Sequence, residues 1–354
     1  MTIKNNYPNG ECPDCYENIP DDVSHGDGCS NCGHVFYSSG SKFTFIDLCA
    51  GIGGFRIGLQ ALGGECVYTA EWDKFARLTY ETNFGGTVEG HDINEIIPSE
   101  VPDHDILTCG FPCVSFSNAG AKKGFEDPRT EVFWSTMNII SEKRPKVVII
   151  ENVRGVLKHK DIIEQAFNER GYDLHTDLLS SNDFGMPQNR VRAFLVGIDR
   201  NLNISEEFQY PSKGLFADRE YPSRTLKDVL QGTLLDGIDG KYELSDKMWN
   251  FLKSHKAKHS ARGNGYGYQL KTANDISSTL THRYYKDGSE CLIDDEIGRN
   301  PRRLTPRETA RIMGFSDDYA IPVSDTQAYM QFGNAVCPPV VEALGRQIVP
   351  LICN

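Results

Sequence analysis

The chain has 354 residues, 39% of them hydrophobic, with 37 Lys and Arg against 49 Asp and Glu. That length accommodates two or three domains around a sizeable core, and the apolar content excludes a disordered chain. No apolar run reaches membrane-spanning length and the opening MTIKNNYPNGECPDC lacks the apolar stretch of an export signal, so no membrane partner is expected and the 11 cysteines are expected to be reduced, in the cytoplasm.

The net charge of −12 argues on average against a polyanionic partner, but it is unevenly spread. Residues 241–272 carry seven Lys or Arg against only Glu243 and Asp246. An acidic body with one basic segment suits a protein that grips nucleic acid in one place; on charge alone, a solvated face is the plainer explanation.

Residues 1–40 form a separate segment, rich in Cys, Asp, Asn and Gly and nearly free of apolar periodicity, ending in the linker-like Ser38-Ser39-Gly40-Ser41. In it Cys12-x2-Cys15 is followed after thirteen residues by Cys29-x2-Cys32. Two such knuckles suit a tetrahedral four-cysteine zinc site of zinc-ribbon type, in a segment too poor in apolar residues to fold without a metal. A redox CxxC normally opens a helix in a βαβ setting, and no helical pattern is present.

From residue 41 the pattern becomes α/β. Strands are expected at Phe43–Cys49, Glu65–Ala70, His104–Cys109, Lys146–Glu151 and Ala193–Ile198, and helices at about Phe55–Leu62, Trp72–Asn83 and Val132–Lys143. Alternation of this kind implies a parallel, doubly wound, Rossmann-like sheet. Over residues 212–300 the alternation gives way to Gly, Lys, Tyr and short strand-like pieces, including Ala261–Tyr268 and Ser278–Lys286, which reads as a small inserted domain. Residues 301–354 return to helix, with an amphipathic candidate at Pro338–Val349. The implied divisions are 1–40, 41–211, 212–300 and 301–354.

The first strand runs into Asp47-Leu48-Cys49-Ala50-Gly51-Ile52-Gly53-Gly54-Phe55, a Gly-rich strand-to-helix turn, and Glu71 follows Gly51 by twenty residues at the end of the second strand. The glycines allow close backbone approach at a helix N-terminus and the acid can accept ribose hydroxyls. Tight packing between strand and helix explains the glycines alone. Together the features indicate an adenosine-type cofactor, without separating a nicotinamide dinucleotide from S-adenosylmethionine. Further on, Pro112-Cys113 follows the third strand, Glu151-Asn152-Val153 ends the fourth, and Gln188-Asn189-Arg190-Val191-Arg192 precedes the fifth. A thiol, a carboxylate and two guanidiniums can thus meet at one sheet edge. Singly, each has a plainer role as a buried thiol, a helix cap or a surface ion pair.

The segments FIDLCAGIGGF, EWDK, GFPCVSFS, GFEDPR, ENV, QNRVR, RRLTPRE and QFGNAV occur in this order between Phe43 and Gly345. In these the chain resembles the DNA (cytosine-5)-methyltransferases of bacterial restriction–modification systems. Val114 departs from the pattern, standing where the family usually has Gln. The resemblance implies that Cys113 is a nucleophile adding to C6 of a flipped-out cytosine, with Glu151 at N3 and the exocyclic amine. It assigns Arg190 to the ring O2 and to orienting Glu151, and Arg192 to the loop or a neighbouring phosphate. S-adenosylmethionine is expected at Phe45, Asp47, Gly51, Gly53, Gly54, Glu71, Trp72, Asp92, Ile93, Pro112, Asn334 and Val336, although plain core packing is the alternative for Trp72 and Ile93.

Double-stranded DNA is the implied partner, with residues 115–129 as a lid and the inserted segment as a target-recognition domain. Ser117, Arg129, Lys258, Arg262, Asn264, Tyr266, Thr279, Arg283, Tyr285 and Lys286 are the expected DNA contacts. GNGYGY and RYYKDG resemble loops of family members that read CC…GG-type palindromes. The resemblance further implies a monomer protecting DNA against a cognate endonuclease that acts separately. A tRNA cytosine-5 methyltransferase is the competing reading, disfavoured by the long segment between the catalytic blocks.

Overall fold

The computed structural model describes residues 43–111, 130–202, 207–211 and 224–353. Its main sheet contains β1 (Thr44–Leu48), β2 (Glu65–Ala70), β3 (Ile106–Cys109), β4 (Val147–Val153) and β5 (Tyr172–Ser180). After the two-residue β6 (Gln188–Asn189), β7 (Val191–Asp199) completes it in the order β2-β1-β3-β4-β7-β5. The first four strands in that order are parallel; β7 runs antiparallel to β4, and β5 antiparallel to β7. The expected parallel sheet is therefore a mixed one. Sequence pattern gives no strand at β5 because this is an edge strand, YDLHTDLLS, in which only Tyr172 and Leu179 are buried.

Strand alternation sends Phe45, Val147, Ile149 and Val196 to one face of the sheet and Ile46, Leu48, Leu107 and Ile150 to the other. The second face is covered by α3 (Glu131–Lys143) and α4 (Lys160–Asn168), introduced in the chain after α1 (Gly54–Gln60) and α2 (Lys74–Phe84). The first face is covered by α1 together with the returning C-terminal residues.

Between these parts lies α5 (Asp246–Ala261), a 16-residue helix capped by Ser245, where only strand-like pieces are expected from the sequence. Its sole fully buried side chain is Leu252, so it lacks the apolar stripe that makes a helix legible. The strands of this region are two residues each: β8 (Leu270–Lys271), β9 (Ser277–Ser278) and β10 (Leu292–Ile293), followed by β11 (Arg302–Arg303). Ser278–Lys286 is mostly turn, and Ala261–Tyr268 contains no strand.

The return comprises α6 (Pro306–Ile312), α7 (Asp325–Asn334) and α8 (Pro338–Ile352). Leu226, Leu280, Tyr284 and Ile293 share one apolar cluster with Leu304, Ile312 and Tyr329, so the middle segment packs on the return. Residues Asp325–Ile352 are apolar enough to pass for a membrane span, yet 67% of their most apolar window is buried in the core.

Helix α8 closes on α1 through glycines. A Cβ at Gly58 would lie 2.6 Å from Val341, and one at Gly345 would lie 2.5 Å from Leu62. At Gly58 the backbone of α8 also comes close, with the Glu342 nitrogen 2.9 Å from where a Cβ would stand, so a missing side chain is required there.

Candidate active site

The functional elements gather at the carboxyl edge of the parallel strands. The chain leaves β1 toward β2 on one side and β3 on the other, and a crevice at such a switch point is the usual ligand site of open α/β sheets. The turn after β1 holds Cys49, Gly51 and Gly53 at φ of 53°, 57° and 82°. Gly54 meets a different constraint, since a Cβ there would lie 2.2 Å from the Val336 carbonyl oxygen. Close packing thus explains Gly54, whereas space above Gly51 is open for 4 Å.

Glu71 fastens this turn. Its carboxylate accepts the Gly51 N–H at 2.8 Å and the Asp73 N–H at 2.8 Å. Each oxygen keeps a second lone pair, so the group can still accept ribose hydroxyls. Trp72 next to it is 76% exposed, which removes core packing as its explanation and leaves a flat ring suited to a nucleobase. These features fit an adenosine cofactor lying over Gly51. Asn334 is exposed at the same edge, and Val336 is half-buried beside Gly54 and Gly110. Phe45, expected at the cofactor, is wholly buried in the core, and Ile93 packs in the core on the opposite side of the sheet. Asp92 caps the short turn after it, accepting the Asn94 N–H at 2.9 Å.

Asp47 lies beneath the turn, fully buried, with one oxygen bonded to the Thr108 hydroxyl at 2.9 Å. Burial pushes its carboxyl up to about 8 against the help of Thr108 and Arg56. The folded chain therefore holds this proton more tightly than the unfolded chain. Its contribution is stabilising at low pH and is lost as pH rises from about 4 through about 8. Asp47→Asn is expected to flatten that part of the pH–stability curve. Urea midpoints at about pH 5 and about pH 9 check this, and an unchanged slope in the variant would refute the assignment.

At the adjoining strand end, Glu151 is buried and its Oε1 lies 3.2 Å from Nε of Arg192. Burial raises its carboxyl above the ordinary range, opposed by Arg192 and more weakly by Arg190. Next to it, Asn152 donates from Nδ2 to the Phe111 carbonyl at 3.0 Å, tethering the chain two residues before Cys113. The contact to Glu151 expected of Arg190 is thus made by Arg192.

Arg190 is buried and acts as a brace. It donates to the carbonyls of Leu280 at 2.9 Å, Gly333 at 3.1 Å and Ala335 at 2.9 Å. Around it β6 pairs with β9, Thr279 donates its hydroxyl to the Asn189 carbonyl at 2.6 Å, and Gln188 accepts the Leu280 N–H at 2.9 Å. Gly333 is compelled by the same junction, where a Cβ would lie 2.3 Å from the Thr281 backbone. The QNR, Thr-Leu and FGNA segments therefore form one knot, which no local pattern could have revealed.

Of the expected DNA contacts, Lys258, Arg262, Tyr266, Arg283 and Lys286 are exposed and Asn264 and Tyr285 half-buried. Ser117, Arg129, Pro112, Cys113 and the four cysteines Cys12, Cys15, Cys29 and Cys32 lie outside the described residues, as does the expected lid.

A cofactor crevice at the β1/β3 switch point beside a buried carboxylate defines an α/β enzyme of the methyltransferase fold. The chain belongs to the C-5 cytosine-specific DNA methylase family, which matches residues 43–350, and is a DNA cytosine methyltransferase using S-adenosylmethionine. It is 43% identical over 317 residues to Type II methyltransferase M.SsoII of Shigella sonnei, covering 87% of this chain and 80% of that protein. Type II methyltransferase M.HpaII of Haemophilus parainfluenzae is 37% identical over 335 residues, covering 88% and 91%. Among solved structures, the S. pombe Dnmt2 methyltransferase matches with a TM-score of 0.71 at 20% identity, covering 87% of this chain and 98% of that one. A putative DNA modification methyltransferase encoded within an E. coli prophage gives 0.65 at 22% identity, covering 88% and 100%. At such identities the likeness is one of fold.

Proposed function

We propose that the protein methylates C5 of a cytosine flipped out of a short duplex DNA target, through a covalent bond between Cys113 and C6. The observation that carries this reading is the pair of contacts at the end of β4: Arg192 on Glu151, and Asn152 on Phe111, two residues before Cys113. A buried carboxyl with a raised affinity for protons suits a group that must hold a proton against the cytosine N3. Addition of the Cys113 thiolate at C6 moves electron density to C5, which then attacks an electrophilic methyl group. Loss of the C5 proton and departure of the thiolate restore the ring. Bound S-adenosylmethionine supplies that methyl group, held by Glu71, Trp72 and the open face of Gly51. Arg190 serves here as the brace that sets the rim, with Arg192 orienting Glu151.

The exposed Lys258, Arg262, Arg283 and Lys286, with Asn264, Tyr266, Tyr285 and Thr279, support a DNA-reading role for the middle segment, and a CC…GG-type palindrome is its proposed target. The spacing of Cys12, Cys15, Cys29 and Cys32 supports a structural zinc ion. Likeness to Type II methyltransferases supports an enzyme that protects DNA in a restriction–modification system. In the same reading it is cytoplasmic and acts as a monomer, apart from any cognate endonuclease.

Incubation of unmethylated plasmid with the protein and S-adenosylmethionine, followed by bisulfite sequencing, tests the reading. The expected result is 5-methylcytosine at a single short motif. Folded protein that binds cofactor yet leaves plasmid unmodified would end it, and methylation confined to tRNA would favour the RNA alternative. Modification at a motif other than CC…GG would refute only the target.

A further inference from the structure

We propose that His255 and His259 on α5 form a two-nitrogen binding site for a zinc ion. They stand four residues apart on one face of the helix, the spacing at which two imidazoles can reach a common metal. Their Nε2 atoms already converge to 3.1 Å. Zinc–nitrogen bonds of about 2.0–2.1 Å meeting at a tetrahedral angle place two nitrogens about 3.3 Å apart, so the site needs only a slight opening.

The surroundings fix both rings. Nδ1 of His259 lies 2.7 Å from Oδ1 of Asn264 and donates to it, which leaves the lone pair of His259 on Nε2, facing His255. In the neutral metal-free pair, His255 donates its Nε2 proton to that lone pair. Metal binding requires that His255 carry its proton on Nδ1 instead. The imidazoles also stand in a row of rings, with centroids 5.9 Å from Phe251 to His255, 4.3 Å from His255 to His259 and 5.7 Å from His259 to Tyr266. Nearby cations are partly engaged elsewhere. Lys256 donates to the Tyr268 carbonyl at 3.1 Å, and Lys253 sits over the Trp249 ring.

Among the described residues no third His, Cys, Asp or Glu joins the pair. Binding would cross-link successive turns at the end of α5, where His259 already meets Asn264. The proposal does not depend on the catalytic reading.

The test is calorimetric titration of the metal-free full chain with zinc, comparing the total number of equivalents bound by wild type and by the histidine double variant. Wild-type protein is expected to take up an extra equivalent, which the His255→Gln/His259→Gln double variant lacks. Asn264→Ala is expected to keep the stoichiometry and weaken affinity by about tenfold, as loss of a ligand-orienting partner does. Circular dichroism without zinc checks that the double variant is folded, as expected for two half-exposed side chains. Absence of the extra equivalent in wild type, or its persistence in the folded double variant, would overturn the proposal.

Discussion

Cys113→Ala is expected to abolish methyl transfer, whereas Glu151→Gln is expected to retain a residue of it. The two substitutions act on different parts of one reaction. Without the thiolate no adduct forms at C6 and C5 stays too weakly nucleophilic, so no slower route on the same enzyme replaces the lost step. Glu151→Gln leaves the thiolate in place and removes the carboxyl proton that stabilises the adduct. Loss of a positioned acid of this kind costs about 10²–10⁴-fold in rate. The Gln amide also leaves Arg192 without its carboxylate, which lies 3.2 Å away in the folded protein. Single-turnover transfer of labelled methyl groups to plasmid DNA measures both. Measurable turnover by Cys113→Ala, or wild-type turnover by Glu151→Gln, would contradict the proposed chemistry.

The second large effect is on stability. Arg302 is completely buried, with Asp295 Oδ2 at 3.1 Å and Glu308 Oε2 at 2.8 Å, and it also donates to the Gly232 carbonyl at 3.0 Å. The two acids in turn accept backbone N–H groups of Leu234, Gln231 and Thr305. This knot joins the middle segment to the start of the return. Arg302→Met is expected to lower stability by about 3–5 kcal/mol, because two carboxylates stay buried without a counter-charge. Urea unfolding measures the loss. A change below about 1 kcal/mol, typical of an exposed ion pair, would show that the buried charges are not coupled as the structure indicates.

What was legible rests on local signals. The strand Glu65–Ala70 has the same bounds in sequence pattern and structure, and the acid twenty residues after Gly51 does reach back to the Gly51 N–H. Legibility failed where burial was slight, as in the edge strand β5 and the polar helix α5, since periodicity records only contrast between faces. It failed differently for the arginines. In a continuous strand, Arg190 and Arg192 would share a face. The Arg190 N–H instead bonds the Gln188 carbonyl at 3.1 Å, breaking the strand there, and the side chain turns to partners 90 to 145 residues away. Phe45 misled for another reason: it sits between motif residues, yet its strand position faces the interior.

The closure of α8 upon α1 also has a consequence for the protein's synthesis. Phe43, Phe45 and Leu59 are made early, but Val340, Val341 and Leu344, in the same apolar cluster, emerge from the ribosome almost 300 residues later. Until then one face of the central sheet has α1 on it but lacks the cover that the C-terminal return supplies. A nascent chain in that condition cannot complete its fold during translation, and it exposes apolar surface of the kind that chaperones hold. The enzyme thus becomes native only after nearly all of its sequence is available.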